Sequence, residues 1–218
     1  MPRAFGDRPA RRIAGRIVVL GALLALMAGP ASLAAQRAGN RYDPTFRKYS
    51  KRFFGPGFDW RLFKAQGMVE SNLDPDAKSW RGARGIMQLM PSTFLEIQTR
   101  NPAWTAIDDI ELNIAAGIYH DRRLWRQWAD SVEPQDHHHF MFASYNAGRG
   151  PILRAQNLAR TRTLDPRLWA TIEAVAPAVR RWRHRETVEY VHKINDAVGR
   201  MDSRGRVVRP LGAGSGGS

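Results

Sequence analysis

Apolar side chains in this chain recur at helical spacing, in segments closed off by glycine, proline or asparagine, and nowhere alternate long enough to build a real sheet. Helical side chains share a face at three- and four-residue intervals whereas strand side chains alternate faces, so this pattern restricts the fold to packed helices. Residues 45–54 put Phe46, Tyr49 and Phe53 on one face of a short basic helix, before Gly55-Pro-Gly57 breaks the chain. A second helix is expected over 59–70, with Asp59 as candidate N-cap and Trp60, Phe63, Gly67 and Met68 on its stripe. Pro91 opens a third, with Phe94, Leu95 and Ile97 apolar, and Asn101-Pro102 ends it. Asp108 or Asp109 caps a longer one to about Ala129, with Leu112, Ala115, Ala116 and Tyr119 inward. Asp136 caps the segment 137–147, which Gly148 stops, and a short helix follows Pro151. The last starts near Glu186, with Val188, Val191, Ile194 and Val198 inward. The expected architecture is mainly α around a cleft, with at most a small β-hairpin around residues 77–90.

A length of 218 residues suits one domain with extensions, and 43% apolar content is that of a globular chain. The formal charge of +14 calls for an anionic partner or surface. Charge alone does not choose among nucleic acid, anionic lipid and carboxylate-bearing wall polymers. The sequence holds no cysteine, which excludes disulfides, thiolate zinc sites, cysteine nucleophiles and an acylated lipoprotein anchor within it.

Residues 1–35 have the pattern of an export segment. Arg3, Arg8, Arg11, Arg12 and Arg16 form a basic n-region, residues 17–28 an uncharged apolar run, and residues 30–35 supply small side chains for cleavage. The uncharged stretch continues to Gln36, so a cleaved signal peptide and a retained membrane anchor both remain open. Removing its five Arg and one Asp lowers +14 to about +10, so the surplus belongs to the folded part as well. Residues 36–52 are expected to be a linker and the short basic helix, 53–202 the folded domain, and 203–218 a disordered Gly/Ser-rich tail.

The chemistry concentrates between Met68 and Pro91. Met68-Val-Glu70-Ser71 ends the second helix, Asp74-Pro75-Asp76 turns, and Ser79 and Gly82-Ala-Arg-Gly85 punctuate a loop that leaves through Ile86-Met87-Gln88-Leu89-Met90-Pro91. Burial and the negative end of the helix dipole both disfavour the Glu70 anion and hold its proton toward neutral pH. A glycosidic bond needs such a general acid. Two further signatures follow: Ala143-Ser-Tyr145-Asn146-Ala147-Gly148-x-Gly150, and Glu186-Thr187-x-x-Tyr190-Val191.

These three signatures, in this order, resemble the catalytic core of the SLT-type lytic murein transglycosylases, relatives of goose-type lysozyme. The opening Phe54-Gly-Pro-Gly-Phe-Asp59-Trp60-Arg-Leu-Phe63 is similar to the entry of the membrane-associated F-type module. The resemblance spans roughly residues 53–197 and implies a lysozyme-like fold around a saccharide cleft. It further implies that Glu70 alone protonates the oxygen between N-acetylmuramic acid and N-acetylglucosamine. The same Glu then acts as base on the muramyl 6-hydroxyl, which closes to a 1,6-anhydro ring. Ser79 matches a hydroxyl beside the acid and the substrate; Gln88 and Met90 match residues lining the saccharide groove. Tyr145 matches a hydroxyl reaching toward the acid, Asn146 a residue holding the cleft, and Tyr190 a ring across the cleft from Glu70. Leu73 stands where an aromatic is usual.

A retaining or inverting hydrolase would need a partner carboxylate at a defined separation, and Asp74 and Asp76 belong to the turn around Pro75. His137-His138-His139 cannot converge on one metal from a helix, because neighbours point about 100° apart. The expectation is a periplasmic enzyme without metal or cofactor that binds peptidoglycan strands. It would be monomeric, with the inner membrane as a further contact through the N-terminal segment and no nucleic-acid partner. The alternatives are a lysozyme-type hydrolase and a non-catalytic glycan-binding module.

Overall fold

A computed structural model describes residues 40–208. Its helices are α1 (Asp43–Phe54), α2 (Arg61–Ser71), α3 (Pro91–Arg100), α4 (Ile110–Trp128), α5 (His137–Ala147), α6 (Arg149–Thr161), α7 (Trp169–Val175) and α8 (His184–Gly199). Short 3-10 turns precede α5 and follow α7. Among the described residues β structure is limited to isolated antiparallel bridges, two of them, Lys78 to Arg84 and Arg84 to Leu89, where the hairpin is expected.

The central helix is α5, which packs against α4, α6 and α8. Its sequence explains the placement: His137, Phe140, Met141, Phe142, Ala143 and Ser144 are all buried, more than one stripe can hold. A helix apolar around most of its circumference must be enclosed by others. Gly148, at φ 75°, ends it after Ala147, and α6 starts at once. Helix α8 packs on α2 and α5, α1 on α4, and α7 on α6. The Asp109 carboxylate caps α4 by accepting Leu112 N–H at 2.8 Å. Asp59 lies one residue outside the α2 cap, accepting Arg61 N–H at 3.0 Å and pairing with the Arg61 guanidinium. Asp136 occupies the N-cap position of α5 but makes no side-chain bond to that helix's N–H groups; its carboxylate instead accepts Trp169 N–H at 2.9 Å and anchors the start of α7. Helix α8 begins at His184 rather than Glu186, and its buried face is Thr187, Tyr190, Val191, Ile194 and Ala197. Val188 and Val198 border that face, partly covered.

The core extends beyond residues 53–202 at both ends. Phe46 is fully buried and Tyr49 nearly so, which makes α1 part of the core and not an appendage on a linker. Lys64 of α2, 1% exposed, pairs with Asp43 at 2.7 Å and donates to Asn40 Oδ1 at 2.9 Å and to the Gly205 carbonyl at 2.8 Å. A buried ammonium needs such partners, because leaving one unpaired is strongly destabilising. It ties the chain before α1 to a turn closed by the Met201–Val207 bridge. Residues 203–208 therefore belong to the folded unit; the rest of the expected tail and the export segment 1–35 lie outside the described residues.

Candidate active site

Glu70 sits in the last turn of α2, where the chain is forced to turn. Asn72 and Leu73 both take left-handed backbone angles, φ 56° and 62°. Asn72 N–H bonds to Met68 O and Leu73 N–H to Gly67 O, a pairing that satisfies the last carbonyls of the helix. Asparagine tolerates that conformation and leucine resists it; Leu73 is held there by burial. A Cβ on Gly67 would meet Ile86, Leu73 and Phe46 side chains at 3.1–3.2 Å, so this glycine lets α1 and the loop close on α2 just behind the acid.

The loop between α2 and α3 is held by a buried amide. Asn113 of α4 accepts Met87 N–H at 2.9 Å and donates to Arg84 O and Ile107 O at 3.0 Å each. Ser71 donates to Ile86 O at 2.9 Å. Beneath, α4 presses on Met87 through Gly117, where a Cβ would lie 2.7 Å from Met87 Cβ and Cγ. Gln88, at φ 44°, donates to Ala77 O at 3.1 Å and Gly85 O at 2.9 Å, so its amide nitrogen shapes the loop. Ser79 Oγ accepts Ala83 N–H at 3.0 Å within the turn. Met90, 38% exposed, is the N-cap of α3.

Tyr190 of α8 donates its hydroxyl to Glu70 Oε1 at 2.6 Å. Tyr145 of α5 donates instead to the Met87 carbonyl at 2.7 Å, so the hydroxyl expected to reach the acid secures the loop beside it. Asn146 Oδ1 accepts from Thr187 Oγ1 at 2.9 Å, and Thr187 Oγ1 accepts from Trp182 Nε1 at 3.1 Å, linking α5 to α8. Glu70, Tyr145 and Tyr190 are thus gathered from three helices, with Ser79, Gln88 and Met90 on the connecting loop.

Burial raises the Glu70 pKa from 4.5 to about 7; the Tyr190 hydrogen bond favours the anion but does not offset the lost hydration. Burial and the neighbouring Glu70 charge push both tyrosines well above 10, so at neutral pH they are hydrogen-bond donors. A second carboxyl lies behind the acid. Asp121 of α4 is fully buried and accepts from Gln66 Nε2 at 3.3 Å, Gln66 being one turn before Glu70 on α2. Burial holds the Asp121 proton well above the usual carboxylate range, the Gln66 bond opposes this, and the Glu70 charge adds to it. Asp121 is absent from the sequence-derived site, yet its spacing from Ile114, Gly117, Ile118, Leu124 and Trp128 puts it on the buried stripe of α4. Among the described residues no group of three or more His, Asp or Glu is arranged to hold a metal.

Helices enclosing α5, with a partly buried carboxyl at the end of α2 and the hydroxyls of two buried tyrosines beside it, define a lysozyme-like domain. The profile of the family described as "Transglycosylase SLT domain" matches residues 46–166, and the chain belongs to that family. The 70 kDa soluble lytic transglycosylase SLT70 of Escherichia coli shares the fold, with a TM-score of 0.55 and 23% identity over 73% of this chain and 24% of that one. The membrane-bound lytic murein transglycosylase F of Desulfosudis oleivorans is 32% identical over 165 residues, 71% of this chain and 35% of the relative. The protein of the same description from Vibrio campbellii is 31% identical over 156 residues, 72% of this chain and 27% of the relative. The chain thus spans between a quarter and about a third of the length of these curated relatives. Among the described residues no helix is long and apolar enough to cross a membrane.

Proposed function

We propose that this protein is a peptidoglycan lytic transglycosylase in which Glu70 serves alone as acid and then base. The observation that carries the reading is the Glu70 carboxyl itself, set in the last turn of α2 and bonded on one oxygen by Tyr190, where burial raises its pKa to about 7. In its protonated form it gives its proton to the oxygen between N-acetylmuramic acid and N-acetylglucosamine as the C1–O bond breaks. The resulting carboxylate, which Tyr190 stabilises, takes the proton of the muramyl 6-hydroxyl as that oxygen bonds to C1. The 1,6-anhydro ring forms and Glu70 is protonated again, so no water is consumed. A hydrolase with two carboxylates needs the second one open to the cleft. The carboxyl found near Glu70 is Asp121, which is 0% exposed and therefore cannot activate a water on the sugar's far face.

Around the acid, Tyr145 fixes the Met87 backbone, and Ser79, Gln88, Met90 and Asn146 border the path of the glycan. The chain acts in the periplasm, with residues 1–35 supplying export or anchorage, and its positive charge favours the carboxylate-bearing wall in a salt-dependent way. The test is digestion of purified sacculi by the protein and by Glu70→Gln, with mass spectrometry of the released fragments. Ends carrying 1,6-anhydromuramic acid, absent with the variant, support the proposal. Reducing ends would establish a hydrolase, and retention on sacculi without release a binding module.

A further inference from the structure

A hollow of about 210 Å³ is formed where the loop after α2 approaches the segment between α7 and α8. Arg81, Arg181 and Arg183 line it, with Asn146, Trp182 and Glu186. Three guanidinium groups face one carboxylate, and that carboxylate is only loosely engaged, with Arg183 Nη1 3.7 Å from Glu186 Oε2 and both side chains exposed. Neither Arg81 nor Arg181 has an acidic partner among the described residues. Arg181 is held at φ 57°, a conformation an arginine rarely adopts, so the backbone here is set by its surroundings. Arg81 lies 4.7 Å from the ring centre of Trp80, whose 88% exposure is the largest of any bulky apolar side chain described.

The floor of the hollow is hydrogen-bonded and lies on the same two helices, α5 and α8, that carry Tyr145 and Tyr190. Trp182, Thr187 and Asn146 are joined in one hydrogen-bonded chain, which uses Asn146 Oδ1 and leaves its Nδ2 unengaged among the described residues. Asn146 follows Tyr145, and Thr187 is one turn before Tyr190 on α8. The hollow therefore borders the two helices that bring Tyr145 and Tyr190 to the Glu70 site.

We propose that this hollow is a carboxylate site that receives the acidic arm of the muramyl residue, with Arg81 and Arg181 as its principal cations. The inference rests on the reading of the Glu70 site as one that binds peptidoglycan. The anions that such a strand offers are the lactyl carboxylate, where the peptide has been removed, and the carboxylates of the stem peptide, where it has not. Both suit planar guanidinium forks with an amide donor beside them. The site gives the protein a preference for acidic strands over glycan of the same length whose carboxylates are masked.

The test uses the full chain carrying Glu70→Gln, so that binding is measured without cleavage. Affinity is determined by calorimetry for three soluble strand preparations: peptide-bearing, stripped by an amidase to the bare lactyl acid, and with all carboxylates converted to amides. Amidation is expected to weaken binding about fivefold or more, the sum of partly exposed charge pairs. Adding Arg81→Gln and Arg181→Asn should weaken binding of the acidic strands equally and abolish the difference on amidation; asparagine accepts the positive φ at 181. The first two preparations show which carboxylate is held. A double variant that keeps the amidation penalty, or a parent that shows none, overturns the site. Melting curves check folding, and Arg81→Gln alone repeats the comparison if the double variant is unfolded. Release of fragments by the unsubstituted chain is scored separately: acid-dependent binding without any cleavage removes the transglycosylase reading and leaves the carboxylate site standing.

Discussion

Tyr190 donates its hydroxyl to Glu70 Oε1 at 2.6 Å, joining α8 to the last turn of α2. The tyrosine, driven well above its ordinary pKa, stays a donor, while the carboxyl, raised to about 7, passes between its two forms near neutral pH. A hydrogen bond to the anion lowers the pKa it acts on, so this pairing moderates the effect of burial.

Tyr190→Phe should therefore raise the Glu70 pKa. The alkaline limb of glycan release, centred near pH 7 in the parent, is expected to move upward by about one pH unit. Under the proposed mechanism the maximal rate should fall as well, because the carboxylate formed after proton donation would lose its partner. Initial rates of muropeptide release between pH 5 and 9 check both effects. A limb that stays in place would show that the bond does not bias the titration.

Glu70→Gln should be inactive and, above neutral pH, more stable than the parent. The folded carboxyl binds its proton up to about pH 7, whereas in the unfolded chain it ionises near 4.5. The folded state thus holds more protons across that window, and parent stability falls as pH rises from 4.5 through 7. The neutral amide escapes this loss. A gain of roughly 2 kcal/mol, or about 4–8 °C in melting temperature, is expected at pH 8 and should vanish at pH 4.5. Thermal melts of both proteins at the two pH values measure it.

Asp121→Asn should leave the alkaline limb of activity where it is. Burial holds the Asp121 proton well above the usual carboxylate range, and the Glu70 shift comes from its own burial, opposed by the Tyr190 bond, so exchanging Asp121 for a neutral amide should not move it. Asp121→Ala, by contrast, opens a cavity and strands Gln66 Nε2, and should be destabilising by about 2–3 kcal/mol. The pH–rate profile of the asparagine variant and the melting curve of the alanine variant are the two measurements. A profile displaced toward lower pH in Asp121→Asn would mean that Asp121 is charged while Glu70 titrates.

Gly117→Ala should be more damaging than Gly67→Ala. At 117 the new methyl meets Met87 Cβ and Cγ at 2.7 Å, atoms next to the backbone that Tyr145 and Asn113 hold. At 67 it meets side-chain ends at 3.1–3.2 Å, which can shift by a few tenths of an ångström. Overpacking of roughly 1–3 kcal/mol is expected at 117, with a drop in activity from displacement of the Met87 backbone. Denaturant melts and rates of fragment release for the two variants compare them.

Much of this protein was decided locally. Helical spacing of apolar residues, Pro91 at a helix start, Asp109 as a cap and Gly148 as a stop set the elements and their ends. The placement of Glu70 in a last helical turn before a glycine-punctuated loop was equally legible, since capping and turn geometry depend on neighbours in sequence. What only the tertiary structure decided are the pairings between distant segments. Tyr190 rather than Tyr145 bonds to the acid, because α8 packs on α2 whereas Tyr145 meets the loop at Met87. Asn113 and Asp121 are ordinary polar residues until α4 turns them inward, where burial makes one a clamp and raises the other's proton affinity well above the usual carboxylate range. Lys64 likewise gains its meaning from Asp43, Asn40 and Gly205, brought together from both ends of the folded chain. Periodicity gives the buried face of a helix; which group waits on the other side, and how much water is left between them, is fixed only when the helices pack.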